Sequence, residues 1–207
     1  MSNYNDMQVR IADELARADL TTQIQKAILS AIEFYKDDRF WFNEGEVTLN
    51  TVAGTASQAL PTSPTAIGEI DIVTATVSGE RYEIFEDSYD WIRQNQDLTT
   101  FVGQPYKYAI FDESIWYYPI PDAVYPIIFS GLVYFATMTT GSDTNAWMNE
   151  AEELIRTRAK WDLFSNIIRN DKEAAKMLGA VDNIIYPKLK QKTVQKVSSD
   201  KVKPFKY

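Results

Sequence analysis

The chain has 207 residues, contains neither histidine nor cysteine, and carries a net charge of −8. This composition rules out disulfides, thiolate nucleophiles, histidine bases and metal sites built from either residue. We therefore expect no cofactor and no metal, and the composition favours an assembling structural protein over an enzyme.

The charge is distributed unevenly along the chain. Residues 1–187 hold 14 Lys and Arg against 28 Asp and Glu, whereas residues 188–207 hold seven Lys against one acid. An acidic body repels nucleic acid, and a basic end segment attracts an acidic partner or a phosphate backbone. The apolar stretches are too short to span a bilayer and the N-terminus lacks a secretory signal, so the sequence predicts a soluble protein made in the cytoplasm, without a membrane partner.

Two helices are predicted at the N-terminus. Apolar residues recur at helical spacing over about 6–18, and Asn5 or Asp6 can cap this helix. The second helix is predicted to start near Thr22, where Thr22 and Gln25 have the spacing of a capping box.

The pattern then changes to strands over about 46–136. Ile67–Val77 and Arg81–Phe85 predict one hairpin, and Tyr106–Phe111 with Ile115–Tyr118 predict another.

Two further elements complete this β-rich stretch. Ser88–Gln96 predicts a short helix, and Val124–Thr137 predicts a long strand bent at Gly131. Pro126 favours an edge position or a bulge for that strand, because proline cannot donate a ladder hydrogen bond.

Helices are predicted again at the C-terminal end. Asp143 or Thr144 can cap a helix that runs to about Asn170. The spacing of Asn170 and Glu173 predicts the cap of a last helix that is interrupted or ends near Pro187.

Helices at both ends of a β-rich insert predict an α+β fold. The terminal helices are expected to form a helical bundle, the insert a sandwich-like β layer, and the C-terminus an extended arm ordered only when bound. The expected divisions are an N-terminal helical part, a β-rich insert, a C-terminal helical part of the same core, and a basic arm: residues 1–45, 46–138, 139–187 and 188–207.

The basic arm is the candidate binding site. Its lysines match an acidic partner, and its two terminal aromatic side chains are typical of anchors that dock into a pocket. The candidate docking residues are Lys188, Lys190, Lys192, Lys196, Lys201, Lys203, Phe205, Lys206 and Tyr207. A solvated tail without a partner is the alternative, and direct nucleic-acid binding is a weaker one.

Chemistry that uses carboxylates alone stays open. Glycoside hydrolysis needs a pair of acids, and several acids fall in predicted turns, although no spacing stands out. These acids are Glu44, Glu46, Asp87, Asp112, Glu113 and Asp122. Carbohydrate stacking on Trp116 and Tyr118 is a further alternative, since strand alternation puts both on one face and Tyr117 on the other.

Several segments resemble one protein family. Arg39–Glu44 (RFWFNE) followed by Ala59–Pro61, then Gly103–Ala109 and Tyr118–Asp122 (YPIPD), and finally Asp143–Arg156 are similar to segments of the head-to-tail adaptor, or connector, proteins of short-tailed bacteriophages.

The resemblance covers roughly residues 5–170. It implies a homo-oligomeric ring, expected to be a dodecamer, that binds beneath the portal protein, extends the DNA channel and carries the nozzle or tail proteins. Genomic DNA would pass through without sequence-specific binding, and the arm would reach the portal. Assembly in the host cytoplasm and a final location in the neck of the virion are implied as well. A carboxylate-dependent cell-wall glycan hydrolase, or a carbohydrate-binding component of the virion, remains the alternative function.

Overall fold

The computed structural model of the chain describes residues 3–62, 65–98 and 101–201. Its α-helices are α1 Tyr4–Leu15, α2 Thr21–Tyr35, α3 Tyr89–Leu98, α4 Ala146–Glu150, α5 Glu152–Asp162, α6 Asp171–Ala180 and α7 Tyr186–Lys201. Its strands are β1 Glu44–Asn50, β2 Ser57–Ala59, β3 Thr65–Val77, β4 Glu80–Glu83, β5 Phe85–Glu86, β6 Val102–Gly103, β7 Lys107–Phe111, β8 Ser114–Tyr118, β9 Ile120–Pro121 and β10 Pro126–Phe135. The predicted α+β class is confirmed.

The chain folds into two compact units. The helical unit consists of Met1–Asn43 and Phe135–Tyr207, so it contains both ends of the chain. The β unit consists of Glu44–Tyr134 and includes α3.

The core of the helical unit is formed by the apolar faces of α1, α2 and α5. Met7, Ile11 and Ile28 are fully buried there, together with Ile155 and, at 1% exposure, Leu154. Each such side chain contributes roughly 1.5–3 kcal/mol of burial free energy. The apolar spacing that predicted the first two helices is thus the spacing that packs them.

The helix starts differ from the predicted ones. Asn3 caps α1, where its side chain accepts from the backbone N–H of Asp6 at 2.8 Å and its own N–H donates to the Asp6 carboxylate at 3.1 Å. The capping box predicted at Thr22 is wrong, because α2 begins after Leu20 without a side-chain cap. Leu20 is buried in the core, so packing fixes the start of α2.

The late helix is interrupted. It begins after Asn145, breaks at Ala151, and widens into a π-helical segment at Leu163–Ile168. The cap predicted at Asn170 is confirmed, since its side chain accepts from the backbone N–H of Glu173 at 3.2 Å.

The extended arm predicted from residue 188 is wrong for the described part of that segment. After a second π-helical segment at Val181–Ile185, the chain continues as α7 to Lys201. Pro187 does not end the helix. It has no N–H to offer the carbonyl four residues earlier, and the π-helical segment lies where that bond would be missing.

The β unit contains two four-stranded sheets, with strand orders β1-β10-β3-β4 and β2-β8-β7-β5, and the short pair β6-β9. Both predicted hairpins are confirmed. The β3–β4 turn has Ser78 and Gly79 at positive φ, and the β7–β8 turn has Asp112 and Glu113 at positive φ. Two-residue hairpin loops of this kind match the twist of the strands they join.

Strand β10 is central in its sheet, which corrects the edge position expected from Pro126. Pro126 is the first residue of β10, where a missing N–H is tolerated. At Gly131 the backbone of β3 comes so close that an added Cβ would collide with the Glu69 carbonyl oxygen. Only glycine fits this position.

The two four-stranded sheets share one apolar cluster. Val73 and Phe129 come from the first sheet, and Ile115 and Tyr117 come from the second; Ile84 lies between β4 and β5. All five are at most 2% exposed. The predicted alternation around Tyr117 is confirmed, because Tyr117 is buried while Trp116 and Tyr118 are partly exposed.

Candidate interaction site

The predicted docking lysines that the structure describes in full lie on α7. Lys188, Lys192 and Lys196 are four residues apart and therefore lie along one side of the helix. Like charges at this spacing repel one another, so α7 needs partners that offset the repulsion.

Trp41 is one such partner. The ammonium groups of Lys192 and Lys196 lie 4.3 and 4.5 Å from the centre of its ring, within the range of a cation–π interaction. Lys192 also contacts the Glu150 carboxylate, with Nζ 3.4 Å from Oε2. These contacts attach α7 to the loop after α2 and to α4.

Lys190 occupies a second polar position on α7. Its Nζ donates to Asp38 Oδ1 and to the carbonyl oxygen of Arg39, both at 3.2 Å, and lies 4.5 Å from the centre of the Phe40 ring. The Tyr186 hydroxyl donates to the same Asp38 oxygen at 2.9 Å. Burial is the largest cause that raises the pKa of Tyr186 to about 12, and this hydrogen bond to Asp38 is the second.

The loop that receives α7 is held by Asn43. This side chain is fully buried, accepts from the backbone N–H of Phe40 at 2.7 Å and donates to the carbonyl oxygen of Asp38 at 2.8 Å. The fully buried Phe40 ring stacks on Phe42 at 5.3 Å and meets Trp147 edge-on at 5.8 Å. The RFWF segment and Asn43 therefore form one aromatic turn beneath α7.

The structure brings only part of the predicted docking set together. Lys190, Lys192 and Lys196 contact the body of the helical unit, whereas Lys188 is exposed beside a pocket between α7 and the α4–α5 region. The Lys201 side chain and residues Lys203, Phe205, Lys206 and Tyr207 lie outside the described part of the chain.

The residues that contact the α7 lysines were not predicted from the sequence. Trp41, Asp38 and Glu150 are the partners of the α7 lysines, yet none was predicted to touch them. The available signal was the aromatic run beside acidic residues, which matches a lysine-rich segment in both charge and cation–π chemistry.

Two of the six candidate carboxylates are held by bases. Glu46 is bound by Arg81 through two hydrogen bonds at 3.0 and 3.1 Å, and this contact lowers its pKa. The hydrogen bond from Lys107, with Nζ 2.5 Å from Oδ2, likewise lowers the pKa of Asp87. A glycosidase acid requires a raised pKa. Asp122 accepts from the Tyr125 hydroxyl at 2.6 Å.

The aromatic strand proposed for carbohydrate stacking is packed by the protein itself. The ring of Tyr89 on α3 meets Trp116 edge-on at 5.2 Å, and Trp91 on the same helix meets Tyr118 at 5.1 Å. Arg93 lies 5.1 Å from the centre of the Trp116 ring. These residues therefore serve to seat α3 on its sheet.

The negative charge of the protein belongs to the β unit. Residues 44–134 contain 13 Asp and Glu against three Lys and Arg, whereas the helical unit contains 16 acids against 18 bases. Among the described helices, none is long and apolar enough to cross a membrane.

A helical unit with a basic terminal helix, joined to an acidic β unit, defines a two-part α+β protein. The family model described as SU10 adaptor protein matches residues 2–197. The chain therefore belongs to the SU10 adaptor family of phage structural adaptor proteins, which confirms the resemblance seen in the sequence. No curated protein matches the chain.

Proposed function

We propose that this protein is a head-to-tail adaptor that forms a ring beneath the portal protein of a short-tailed phage. The ring, expected to be twelve-fold, extends the DNA channel and provides the platform on which nozzle or tail proteins assemble. The observation that carries the proposal is the family match over residues 2–197.

A ring of identical subunits needs two different complementary surfaces on each subunit, because each interface is head-to-tail. The opposite charge of the two units is compatible with this requirement. The β unit carries ten more acids than bases, and the helical unit carries two more bases than acids.

The C-terminal segment is the proposed portal-docking element. Three of its lysines on α7 are held in place by Trp41, Asp38 and Glu150, so the helix is pre-organised at its base. A segment that starts from a fixed helix loses less conformational entropy on binding than a free tail would. The Phe205 and Tyr207 side chains then supply the apolar anchors, and the lysines match an acidic rim on the portal.

Genomic DNA is proposed to pass through the ring without being held. Phosphate contacts from Lys and Arg account for non-specific DNA affinity. A β unit with few bases offers few such contacts, so DNA can slide past it. Assembly is proposed to take place in the host cytoplasm before the finished virion is released.

Deletion of the docking segment tests the proposal, and the structure decides where the deletion should begin. Leu189 is only 9% exposed and belongs to the core, so a deletion from residue 188 would also damage the fold. The sharper variants are a chain that ends at residue 201 and Lys188→Glu. Lys176→Glu is the matched control, because it changes the same charge on an exposed position of α6.

Binding of each variant to a purified portal ring is measured by surface plasmon resonance. We expect the chain ending at 201 to lose about tenfold or more in affinity, which corresponds to roughly 1.4 kcal/mol. The control should bind as the wild type does, and the unfolding midpoint of the shortened chain should be unchanged. Equal portal affinity of the shortened and full-length chains would contradict the docking role. Electron microscopy of the adaptor–portal complex counts the adaptor subunits in the ring and so tests the expected twelve-fold symmetry.

A further inference from the structure

One short segment supplies an outer strand to each of the two large sheets of the β unit. Strand β4 (Glu80–Glu83) is the outer strand of the first sheet, and β5 (Phe85–Glu86) is the outer strand of the second. We name residues 80–86 the acidic edge. An outer strand leaves the backbone N–H and C=O groups of one side without a strand partner, which makes it a template for an added strand.

The acidic edge is firmly anchored. Ile84, between the two strands, is 2% exposed, and its N–H donates to the carbonyl oxygen of Val73 at 2.9 Å. The next N–H, that of Phe85, donates to the carbonyl oxygen of Tyr106 at 3.1 Å. The backbone at this edge is therefore pre-formed for pairing.

Apolar side chains are exposed at this edge. Phe85 is 59% exposed, and Tyr106, whose backbone Phe85 contacts, is 44% exposed. Charged residues alone would suffice to keep an outer strand from aggregating. An exposed aromatic side chain on the outer strand has the opposite effect, because it offers an apolar contact to an added strand.

Two carboxylates flank Phe85. Glu83 and Glu86 are exposed. Burial of the neighbouring Tyr108 is the main cause of its raised pKa, and the negative charges of the two glutamates raise it further. Within the described part of the chain, neither glutamate has an ion-pair partner.

The bases of the β unit are engaged elsewhere. Arg81 pairs with Glu46 at 3.0 Å, and Lys107 pairs with Asp87 at 2.5 Å. Arg93, the remaining base, lies 3.5 Å from the Asp97 carboxylate. The positive charge that would complement Glu83 and Glu86 must therefore come from outside the unit.

We propose that the acidic edge binds an extended, lysine- or arginine-bearing segment of a partner protein as an added strand. The backbone of the segment pairs with the edge, its apolar side chains rest on Phe85, and its cations face Glu83 and Glu86. That the partner is a tail component rests on the proposed function. The binding itself is independent of portal docking, which involves the other unit.

The test uses the full-length protein and a short fluorescent peptide of alternating lysine and valine, with binding followed by anisotropy at low and high salt. Glu83→Gln with Glu86→Gln removes the charges, and Phe85→Ser removes the apolar contact. The matched control is Asp112→Asn with Glu113→Gln, because this pair changes the net charge of the same unit equally at another exposed turn.

We expect the peptide to bind the wild type and the control pair alike, and to bind each edge variant about fivefold more weakly, given the size of surface charge and contact effects. High salt should weaken binding to the wild type. A matching peptide of glutamate and valine should not bind.

Three results would overturn the proposal: equal weakening by the control pair, equal binding of the glutamate peptide, or unchanged binding to both edge variants. Self-association of the wild type that the edge variants lose would identify a second copy of the chain as the occupant, and would overturn it as well. Portal binding of the edge variants, measured separately, reports on the adaptor role alone.

Discussion

Replacing Asn43 with alanine is expected to destabilise the helical unit strongly. The side chain is fully buried and makes two hydrogen bonds, from the Phe40 N–H at 2.7 Å and to the Asp38 carbonyl at 2.8 Å. Alanine leaves the buried Phe40 N–H without a partner, which costs about 1–3 kcal/mol. The partly buried Asp38 carbonyl loses a further bond, worth about 1 kcal/mol.

The expected loss is therefore about 2–4 kcal/mol, or roughly 10 °C in Tm for a unit of this size. Urea unfolding followed by far-UV circular dichroism measures it, because most of the helices belong to this unit. Asn149→Ala is the control: its side chain is exposed and makes only long hydrogen bonds at 3.4 and 3.3 Å, so its loss should stay below about 0.5 kcal/mol. If Asn43→Ala were as stable as this control, the assignment of Asn43 as the residue that holds the aromatic turn would be wrong.

Two further outcomes are expected. Gly131→Ala should destabilise the β unit by about 2–3 kcal/mol in urea unfolding, because the added Cβ would meet the Glu69 carbonyl oxygen. Gly103→Ala is the control and should cost under about 1 kcal/mol, because the space around Gly103 is open. Equal costs would refute the close approach of the backbone at Gly131. Hydrogen bonds from Thr140 hold the pKa of Asp143 at about 2, so this carboxyl contributes stability above its unfolded pKa of about 3.9 that is lost as pH falls through 2. Carbon-detected NMR titration should show that low midpoint, and a midpoint near 4 would contradict the assigned hydrogen bonds.

Elements defined by local patterns were predictable from the sequence. The apolar spacing of α1 and α2 and the turn residues of the β3–β4 hairpin depend on neighbours only a few positions away. The start of α2 was not predictable in this way, because the burial of Leu20 outweighs the local cap at Thr22. Pro126 misled for a related reason: proline is tolerated as the first residue of a central strand, and local sequence shows neither where β10 begins nor that it is central.

The helix α7 shows why the candidate site was only half predictable. Its lysines were identified from the sequence, but a lysine-rich segment without a continuous apolar face gives no signal of a packed helix. The packing comes from Leu189 in the core and from lysine ammonium groups over Trp41 and Phe40, which lie more than 140 positions earlier in the chain. Such contacts are set by tertiary structure, and no local pattern contains them.

The β unit is an insertion whose two connections to the helical unit lie side by side. Glu44, at the start of β1, is paired with Leu132 near the end of β10, so the outgoing and returning chains are about 5 Å apart at that point. A segment inserted through neighbouring points can be lengthened, exchanged or removed while the host chain keeps its path. The chain is therefore modular: the β unit can change without redesign of the unit that carries the C-terminal helix.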